Sequence, residues 1–563
     1  MKIKYIEIHN FRGIKSLEST IEDDIICLIG AGDTCKSTIL DSLAIVFSNR
    51  WNTDFNDSDF YNQEIDQPIL IRVTIGDLQD DLLSESKYGH YLRGWDNKNK
   101  SIVDEPNDDL EDVITIQLFV DKNLDPQWTV YAERITEPRI LSATQRDEFK
   151  VKLIGNFVDR EFTWNRGTSL NRHFNIEVNQ IKQLGNELIR NAAQKATTQN
   201  DDDTSKIIAD IQGIAENYAI PLESLCMNLD AKLFSPISGS LSLFDSQIPF
   251  RQKGLGSKKL LSFAIQKHGC GDNGILLCDE VELGLEPNRI CRLINNMKSG
   301  LKGQIILSTH SPVVLRELSC KQLWYVENSK GIININRLTD TLSPDDVNLL
   351  QANVRKNAES FLSKKLIVCE GATEVGFLRG LDNFWTQQGN KPCAFYGVSF
   401  FDGGGSISAI RLSTRLCHIG YNVAVFGDSD TTEIISAKGT LESQGISIFV
   451  WPGNTHIEGR LFSDLPPAGI IELMAYIIEN KSIDHVKSKY ASEYNVLPAD
   501  LLVHPENYRA NLSQLAHKND WFKRIDHGVK IAEILCRHIS NINDTPLFTT
   551  CQTLLKWIEK CVK

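Results

Sequence analysis

The chain has 563 residues, a net charge of −13, and ordinary fractions of charged (24%) and apolar (41%) side chains. That length exceeds what one hydrophobic core supports, so two or three domains are expected. The acidity argues against a protein that coats nucleic acid with a uniformly basic surface. No run of about 18 apolar residues reads as a membrane span. Thirteen cysteines, with no Cys-x-x-Cys pair, argue against a disulfide framework or a zinc site and point to a reducing cytoplasm.

In chain order, the alternating start Met1-Lys-Ile-Lys-Tyr-Ile-Glu-Ile8 reads as a strand and not as a signal peptide. Asn10-Phe-Arg-Gly13 turns, Asp24 to Ile29 forms a buried strand, and a helix runs from Lys36 to about Phe47. Strand signals follow at Ile69–Ile75 and Val113–Val120, the latter turning through Asn123-Leu-Asp-Pro126 into Trp128–Tyr131 as a hairpin. From about Thr144 to Tyr218 helical spacing replaces strand signals, with a polar loop expected over Ala192–Ser205. Strand–helix alternation resumes near Phe234 and continues to about Leu338. A polar helical connector covers 339–362, and a second α/β unit opens at Lys364.

Four pieces of chemistry occur in one order. Gly30-Ala-Gly32-Asp33-Thr-Cys35-Lys36-Ser37-Thr38 follows an apolar strand and opens a helix. That is the context in which backbone N–H groups from Gly30 to Asp33 and a helix N-terminus cradle phosphates. Lys36 then reaches the β and γ oxygens, Ser37 holds magnesium, and Thr38 completes the loop. Cys35 stands where such loops carry glycine, and its Cβ crowds the approach to phosphate. Gly254-Leu-Gly256-Ser257 opens an apolar helix, in the manner of the signature that ABC-type ATPases present to a partner's nucleotide. Gly274 to Cys278 is an apolar strand ending in Asp279, expected to position magnesium, and Glu280, expected to polarise the attacking water. Gln304 to Ser308 is a further buried strand that ends at His310, where a switch histidine is expected. A Q-loop glutamine is missing from this set, with Gln63 a candidate. A signature acting in trans implies two heads, with the helical stretch as the dimerising element.

The second unit has its own pattern. Lys364 to Cys369 is a strand ending in Glu370, followed by a glycine turn and then Glu374 entering a helix. Phe401-Asp-Gly-Gly-Gly405-Ser406 is a turn, and Asn422 to Gly427 is a buried strand ending in Asp428-Ser-Asp430. Carboxylates at neighbouring strand ends of a parallel sheet converge on one crevice. They repel unless divalent cations sit among them, and oxygen ligands favour Mg2+ or Mn2+. Two such ions stabilise both the attacking and the leaving oxygen of a phosphodiester. Glu458, after the strand Ile446–Val450, is a further ligand candidate. Lys523 is a candidate to neutralise the scissile phosphate, with Lys530 as its rival.

At these residues the second unit resembles the Toprim fold. The whole order resembles the overcoming-lysogenization-defect (OLD) family of nucleases: an ABC-type ATPase head, a helical insertion, then Toprim with Glu370-Gly-x-Thr-Glu374. The implied architecture is α/β. It has a head over 1–143 and 226–340, an insertion over 144–225, a connector over 341–362, and a Toprim parallel sheet with a helical extension over 363–563. The resemblance implies an ATP-binding dimer or higher even-numbered oligomer that regulates a divalent-metal nuclease, and often a role in phage defence alongside a separate partner. It implies Glu370, Glu374, Asp428, Asp430 and Glu458 as ligands of Mg2+ or Mn2+, and Lys523 as the catalytic lysine. Cys35 and Glu286-Pro287, where many relatives carry His-Pro, depart from the pattern and bear on ATP turnover. The same carboxylates would serve a nuclease acting on DNA, one acting on RNA, or an ATP-dependent assembly protein working through a partner. A topoisomerase needs an active tyrosine on a further domain, for which too few residues follow position 470.

Overall fold

The computed structural model describes residues 1–50, 53–155, 159–163, 168, 170, 202–229, 241–271, 273–299, 302–340, 342–430 and 432–560. The chain divides into two compact units, Met1–Val347 and Asn348–Lys563, with the helix Pro344–Lys356 running across the division. Most of the helical stretch expected over 144–225 lies outside the described residues.

The first unit is built on a 14-stranded sheet. Its strands are β1 (Lys2–Phe11), β2 (Ile14–Thr20), β3 (Ile25–Ile29), β4 (Ile69–Gly76), β5 (Arg93–Asp96), β6 (Ser101–Val103), β7 (Glu111–Val120), β8 (Pro126–Tyr131), β9 (Arg139–Ile140) and β10 (Val151–Ile154). After β11 (Leu225–Leu229), β12 (Leu241–Asp245) and β13 (Ile248–Pro249), which form a small separate sheet, come β14 (Ile275–Cys278), β15 (Gln304–Ser308), β16 (Leu323–Ser329) and β17 (Ile332–Arg337). One half of the large sheet is a parallel core in the order β10-β14-β15-β3-β16. Every residue of β3, β14 and β15 is buried, as expected of strands covered on both faces. The other half is antiparallel, with β1 between β2 and β4, and β7 pairing β4 and β8. The fully buried Gln304 ties the two halves together. Its Oε1 accepts the Ile3 N–H at 2.9 Å, and its Nε2 donates to the carbonyls of Ile21 (2.8 Å) and Asp23 (3.0 Å).

One sequence expectation is corrected here. Val151–Ile154 falls inside the stretch read as helical, yet it is a strand that pairs β14 in parallel from Val151↔Ile275 to Ile154↔Cys278. Four residues of Val-Lys-Leu-Ile are too short to show a period. The edge of an existing sheet supplies the hydrogen bonds that local propensity does not.

The second unit has a four-stranded parallel sheet. Its strands are β18 (Lys365–Cys369), β19 (Val398–Asp402), β20 (Asn422–Gly427) and β21 (Ser447–Val450), in the order β19-β18-β20-β21. The helices Ala372–Gln387, Ser406–Ile419 and Thr432–Ser443 form the crossovers. Helices from Ile457 to Glu559 follow, and they bury Trp451 and Trp521 in a common core with β18 and β20. The helices Ala372–Gln387 and Ile525–Arg537 cross at near backbone contact. A Cβ on Gly376 would lie 2.0 Å from the Ile525 carbonyl oxygen, and one on Gly528 would lie 2.2 Å from that of Thr373. Among the described residues no helix is long and apolar enough to cross a membrane.

Candidate functional site

In the first unit the loop after β3 enters the helix Lys36–Val46 through Cys35, whose φ of 67° and ψ of 19° are left-handed. A side chain is strained there, which is why such loops favour glycine. Gly30 (φ +140°) lies close to β16, where a Cβ would meet the Val326 carbonyl oxygen at 2.8 Å. Asp33 (φ 61°) is also left-handed, and its carbonyl accepts from Asn328 Nδ2 at 3.3 Å. Gly32 is exposed, and the Thr38 side chain bonds Cys35. The Lys36 ammonium lies within the loop, donating to the carbonyls of Gly30 (3.1 Å) and Ala31 (2.7 Å) and to Thr34 Oγ1 (3.2 Å). Burial brings its pKa down to about 8, with Asp279 and Asp33 pulling against that fall.

The strand-end acids face this loop. Asp279 Oδ1 accepts from Ser37 Oγ at 2.9 Å and from Ser308 Oγ at 2.6 Å. The phosphate-loop hydroxyl and the acid expected to share a magnesium ion are therefore adjacent. Glu280 has a φ of 44°, and its N–H donates to Ser308 Oγ at 2.9 Å. Glu282, which carries no motif in the sequence, accepts from Thr309 Oγ1 at 2.7 Å and from the His310 N–H at 2.6 Å. Partial desolvation of the His310 ring beside the loop, then Lys36, lowers its pKa. The helix Leu255–Cys270 starts at Gly254, with Gly256 packed so tightly that a Cβ would meet the Gly284 carbonyl oxygen at 2.2 Å. Ser257 Oγ accepts from Arg289 Nη1 at 3.2 Å, and Glu286 pairs with Arg289 at 3.2 Å. From this helix the buried Lys259 donates to the Asp279 carbonyl at 2.6 Å and to that of Glu280.

In the second unit the tips of β18 and β20 bring Glu370, Glu374, Asp428, Glu458 and Lys523 to one cleft of about 290 Å3, which Asp402, Gly404, Gly405 and His517 also line. Glu370 Oε1 accepts from Ser406 Oγ at 2.7 Å, and its Oε2 accepts from the Asp428 N–H at 3.1 Å. The Gly371 N–H donates to Glu374 Oε2 at 2.9 Å, and the Ile457 N–H donates to Asp428 Oδ1 at 3.0 Å. Burial, then repulsion from the neighbouring carboxylates, raises both Glu374 and Asp428 well above the usual carboxylate range. Burial pushes Glu458 the same way, but hydrogen bonds from His456 and His517 outweigh it and hold this acid down at about 2. Asp430 is exposed and gathers with His456 and His517. Lys523 follows Phe522, whose carbonyl accepts from Thr373 Oγ1 at 2.9 Å, so the close helix crossing fixes the lysine loop against the Glu370–Glu374 turn. Its rival Lys530 pairs with Glu533 at 3.0 Å and does not line the cleft.

These acids suit a divalent cation, because five carboxylates, Asp402 among them, share one cleft with few opposing charges and offer the hard oxygen donors that such ions take. Asp402, Ser406, His456 and His517 are the residues that sequence reasoning misses. Asp402 and Ser406 sit in a glycine turn whose local pattern says only that the chain turns. The two histidines lie 61 positions apart, and only the fold joins them.

The chain spans about an eighth of the length of a curated relative, protein ea59 of Escherichia phage lambda, and is 36% identical to it over 70 residues (12% of this chain, 13% of that protein). Among solved structures, an SMC head bound to the C-winged helix domain of ScpA aligns at 14% identity, 60% coverage of this chain, 97% of that one and a TM-score of 0.36. An SMC head with the C-terminal domain of ScpA, from Pyrococcus furiosus, aligns at 13% identity, 63% and 99% coverage, and a TM-score of 0.37. The recombination mediator RecF aligns at 12%, 59% and 97%, and 0.35. A family model described as an AAA ATPase domain matches residues 1–315, which takes in the phosphate loop, the strand-end acids and His310. With more than half of its length matched, the chain belongs to the AAA ATPase domain family, and ATP is the nucleotide of its first unit.

Proposed function

We propose that the Asn348–Lys563 unit is a Toprim-type nuclease and that the whole chain is an ATP-regulated, divalent-metal-dependent DNA endonuclease or nickase of the OLD kind, an effector of phage defence. The observation that carries this reading is the crowding of Glu370, Glu374, Asp428 and Glu458 into one cleft, with Glu374 and Asp428 driven toward their neutral forms. Such a cluster is unfavourable by itself and suits a site for cations. Glu370, Glu374, Asp428, Asp430 and Glu458 would hold two Mg2+ or Mn2+ ions, which would supply charge neutralisation to both oxygens of an in-line displacement at phosphorus. Ser406 and the Asp428 N–H orient the Glu370 carboxylate, and the Ile457 N–H orients that of Asp428. Lys523, on its anchored loop, offers a cation to the scissile phosphate.

In the first unit, Lys36, Ser37 and Asp279 would bind ATP and magnesium, with Glu280 directing water. Gly254 to Ser257 would reach a partner's nucleotide, so ATP would close a dimer of heads. The test is supercoiled plasmid incubated with Mg2+ or Mn2+, with and without ATP, beside Glu370→Ala and an RNA substrate. Wild type is expected to nick plasmid, and Glu370→Ala to lose more than about 100-fold, since even residues supporting a metal ligand contribute about 10–100-fold. Metal-dependent cleavage equal in the variant refutes the site. Cleavage confined to RNA refutes the substrate.

A further inference from the structure

Glu282 belongs to none of the nucleotide motifs, yet both of its carboxylate oxygens are committed to the segment that carries His310. Oε2 accepts from Thr309 Oγ1 at 2.7 Å, and Oε1 accepts from the His310 N–H at 2.6 Å. Thr309 is fully buried, and its hydroxyl in turn accepts the Ser311 N–H at 3.0 Å. Hydrogen bonds to a carboxylate are short and about twice as strong as neutral ones, so the pair fixes the Thr309–His310 peptide. Glu282 is itself braced. The Val281 N–H before it donates to the Ser308 carbonyl at 3.2 Å, and its own carbonyl accepts the Leu285 N–H at 2.9 Å. Inside that turn, the Gly284 carbonyl oxygen packs so close to Gly256 that a Cβ there would meet it at 2.2 Å. His310 leaves the tip of β15 beside Lys36, Glu280 and Asp279, whose charges all act on its ring.

Building on the ATP site proposed above, with His310 as its switch histidine, we infer that Glu282 is the positioning residue of that histidine. It holds the His310 backbone so that the imidazole faces the phosphates of bound ATP during hydrolysis. Asp279 already joins β14 to β15 through Ser308, so the strand tips stay together without Glu282. What Glu282 adds is the orientation of one peptide unit. Misplacing a group at the chemistry by about 1 Å can cost about 100-fold in rate. The role is one of reach and not of charge. Glutamine keeps an Oε1 acceptor for the His310 N–H and offers its amide N–H to Thr309 Oγ1. That hydroxyl carries a second lone pair beside the one that the Ser311 N–H occupies. Aspartate keeps the charge but is one methylene too short to meet both donors.

The test is steady-state ATP turnover of the full-length protein, with ATP affinity measured separately by titration in the same Mg2+ buffer. Glu282→Asp is expected to lower kcat about 10–100-fold while ATP affinity stays within about threefold of wild type. Glu282→Gln is expected to keep at least about a third of wild-type kcat. His310→Ala removes the ring and leaves the backbone N–H in place, so adding Glu282→Asp to it is expected to change kcat less than about twofold. Three results each overturn the inference and leave the nucleotide site standing. They are a kcat in Glu282→Gln as low as in Glu282→Asp, an affinity loss matching the kcat loss, and losses that multiply in the double variant. A wild type that binds ATP without turning it over overturns the inference together with the hydrolytic role of Glu280.

Discussion

Asp428→Asn is expected to make the Asn348–Lys563 unit more heat-stable when no divalent ion is present, and only at neutral to alkaline pH. Asp428 is half-buried and crowded by Glu374, Glu458, Glu370 and Asp430, and each of these influences raises its pKa above 3.8. A raised folded-state pKa leaves stability intact below the unfolded value, and stability is lost as pH climbs toward the folded one. At about pH 2, well below the 3.8 of the unfolded side chain, both side chains are neutral in both states, and the two proteins are expected to melt together. At about pH 8 the wild type either carries an unfavourable buried charge or takes up a proton against the solution. Each tenfold rise in the proton affinity of the folded carboxylate costs about 1.4 kcal/mol, and one such step is the least that this crowding implies. For a unit of this size each kcal/mol moves Tm by about 2–4 °C, so the gain is about 3–6 °C or more. Asparagine keeps Oδ1 as the acceptor for the Ile457 N–H, so the charge goes and the hydrogen bond stays. Calorimetry in EDTA at both pH values checks this, and Mn2+ added at about pH 8 is expected to stabilise wild type more than the variant. A variant that melts at or below wild type at about pH 8 in EDTA refutes the idea that these acids repel one another.

Lys36→Ala is expected to weaken ATP binding about 10–100-fold, the size of a lost charge-assisted bond of about 1.5–3 kcal/mol. Nucleotide titration with unchanged affinity would remove the phosphate loop from the account. Cys35→Gly relieves a left-handed residue (φ 67°) by about 1 kcal/mol and clears the phosphate approach, so ATP turnover in a phosphate-release assay is expected to rise. An unchanged rate means the loop already accommodates the side chain. Gly376→Ala drives a Cβ against the Ile525 carbonyl, 2.0 Å away, and is expected to destabilise the second unit by about 1–3 kcal/mol. Because the same crossing carries the Lys523 loop, plasmid nicking is expected to fall further than Mn2+ binding does. Equal losses in both would detach the lysine from the chemistry.

Strands that end in acids are legible in the sequence because burial on both faces writes itself as an unbroken apolar run. Ile275–Cys278, Lys365–Cys369 and Asn422–Gly427 all read this way, and Asp279, Glu370 and Asp428 stand immediately past their tips. The meeting of Ser37 with Asp279 across 242 positions follows from the order of motifs alone. What stays hidden depends on packing between distant segments. β10 has its place because an edge of β14 is open, not because Val-Lys-Leu-Ile insists on being extended. The partnership of His456, His517 and Glu458 requires a helix some 60 residues further along to dock beside the turn, and no local pattern announces it. Gly376 and Gly528 look like helix-weakening residues until the crossing that needs them is seen.

Lys259 joins the interior of the Leu255–Cys270 helix to the peptide units that carry Asp279 and Glu280. It works as a tie rod: the helix cannot tilt by an ångström without stretching both bonds or dragging the two acids with it. Glu280, held at a φ of 44°, has little slack to absorb that pull. Leu255, one helical turn before Lys259, is 38% exposed. The start of this helix and the carboxylate tip of β14 are thus coupled through a single side chain.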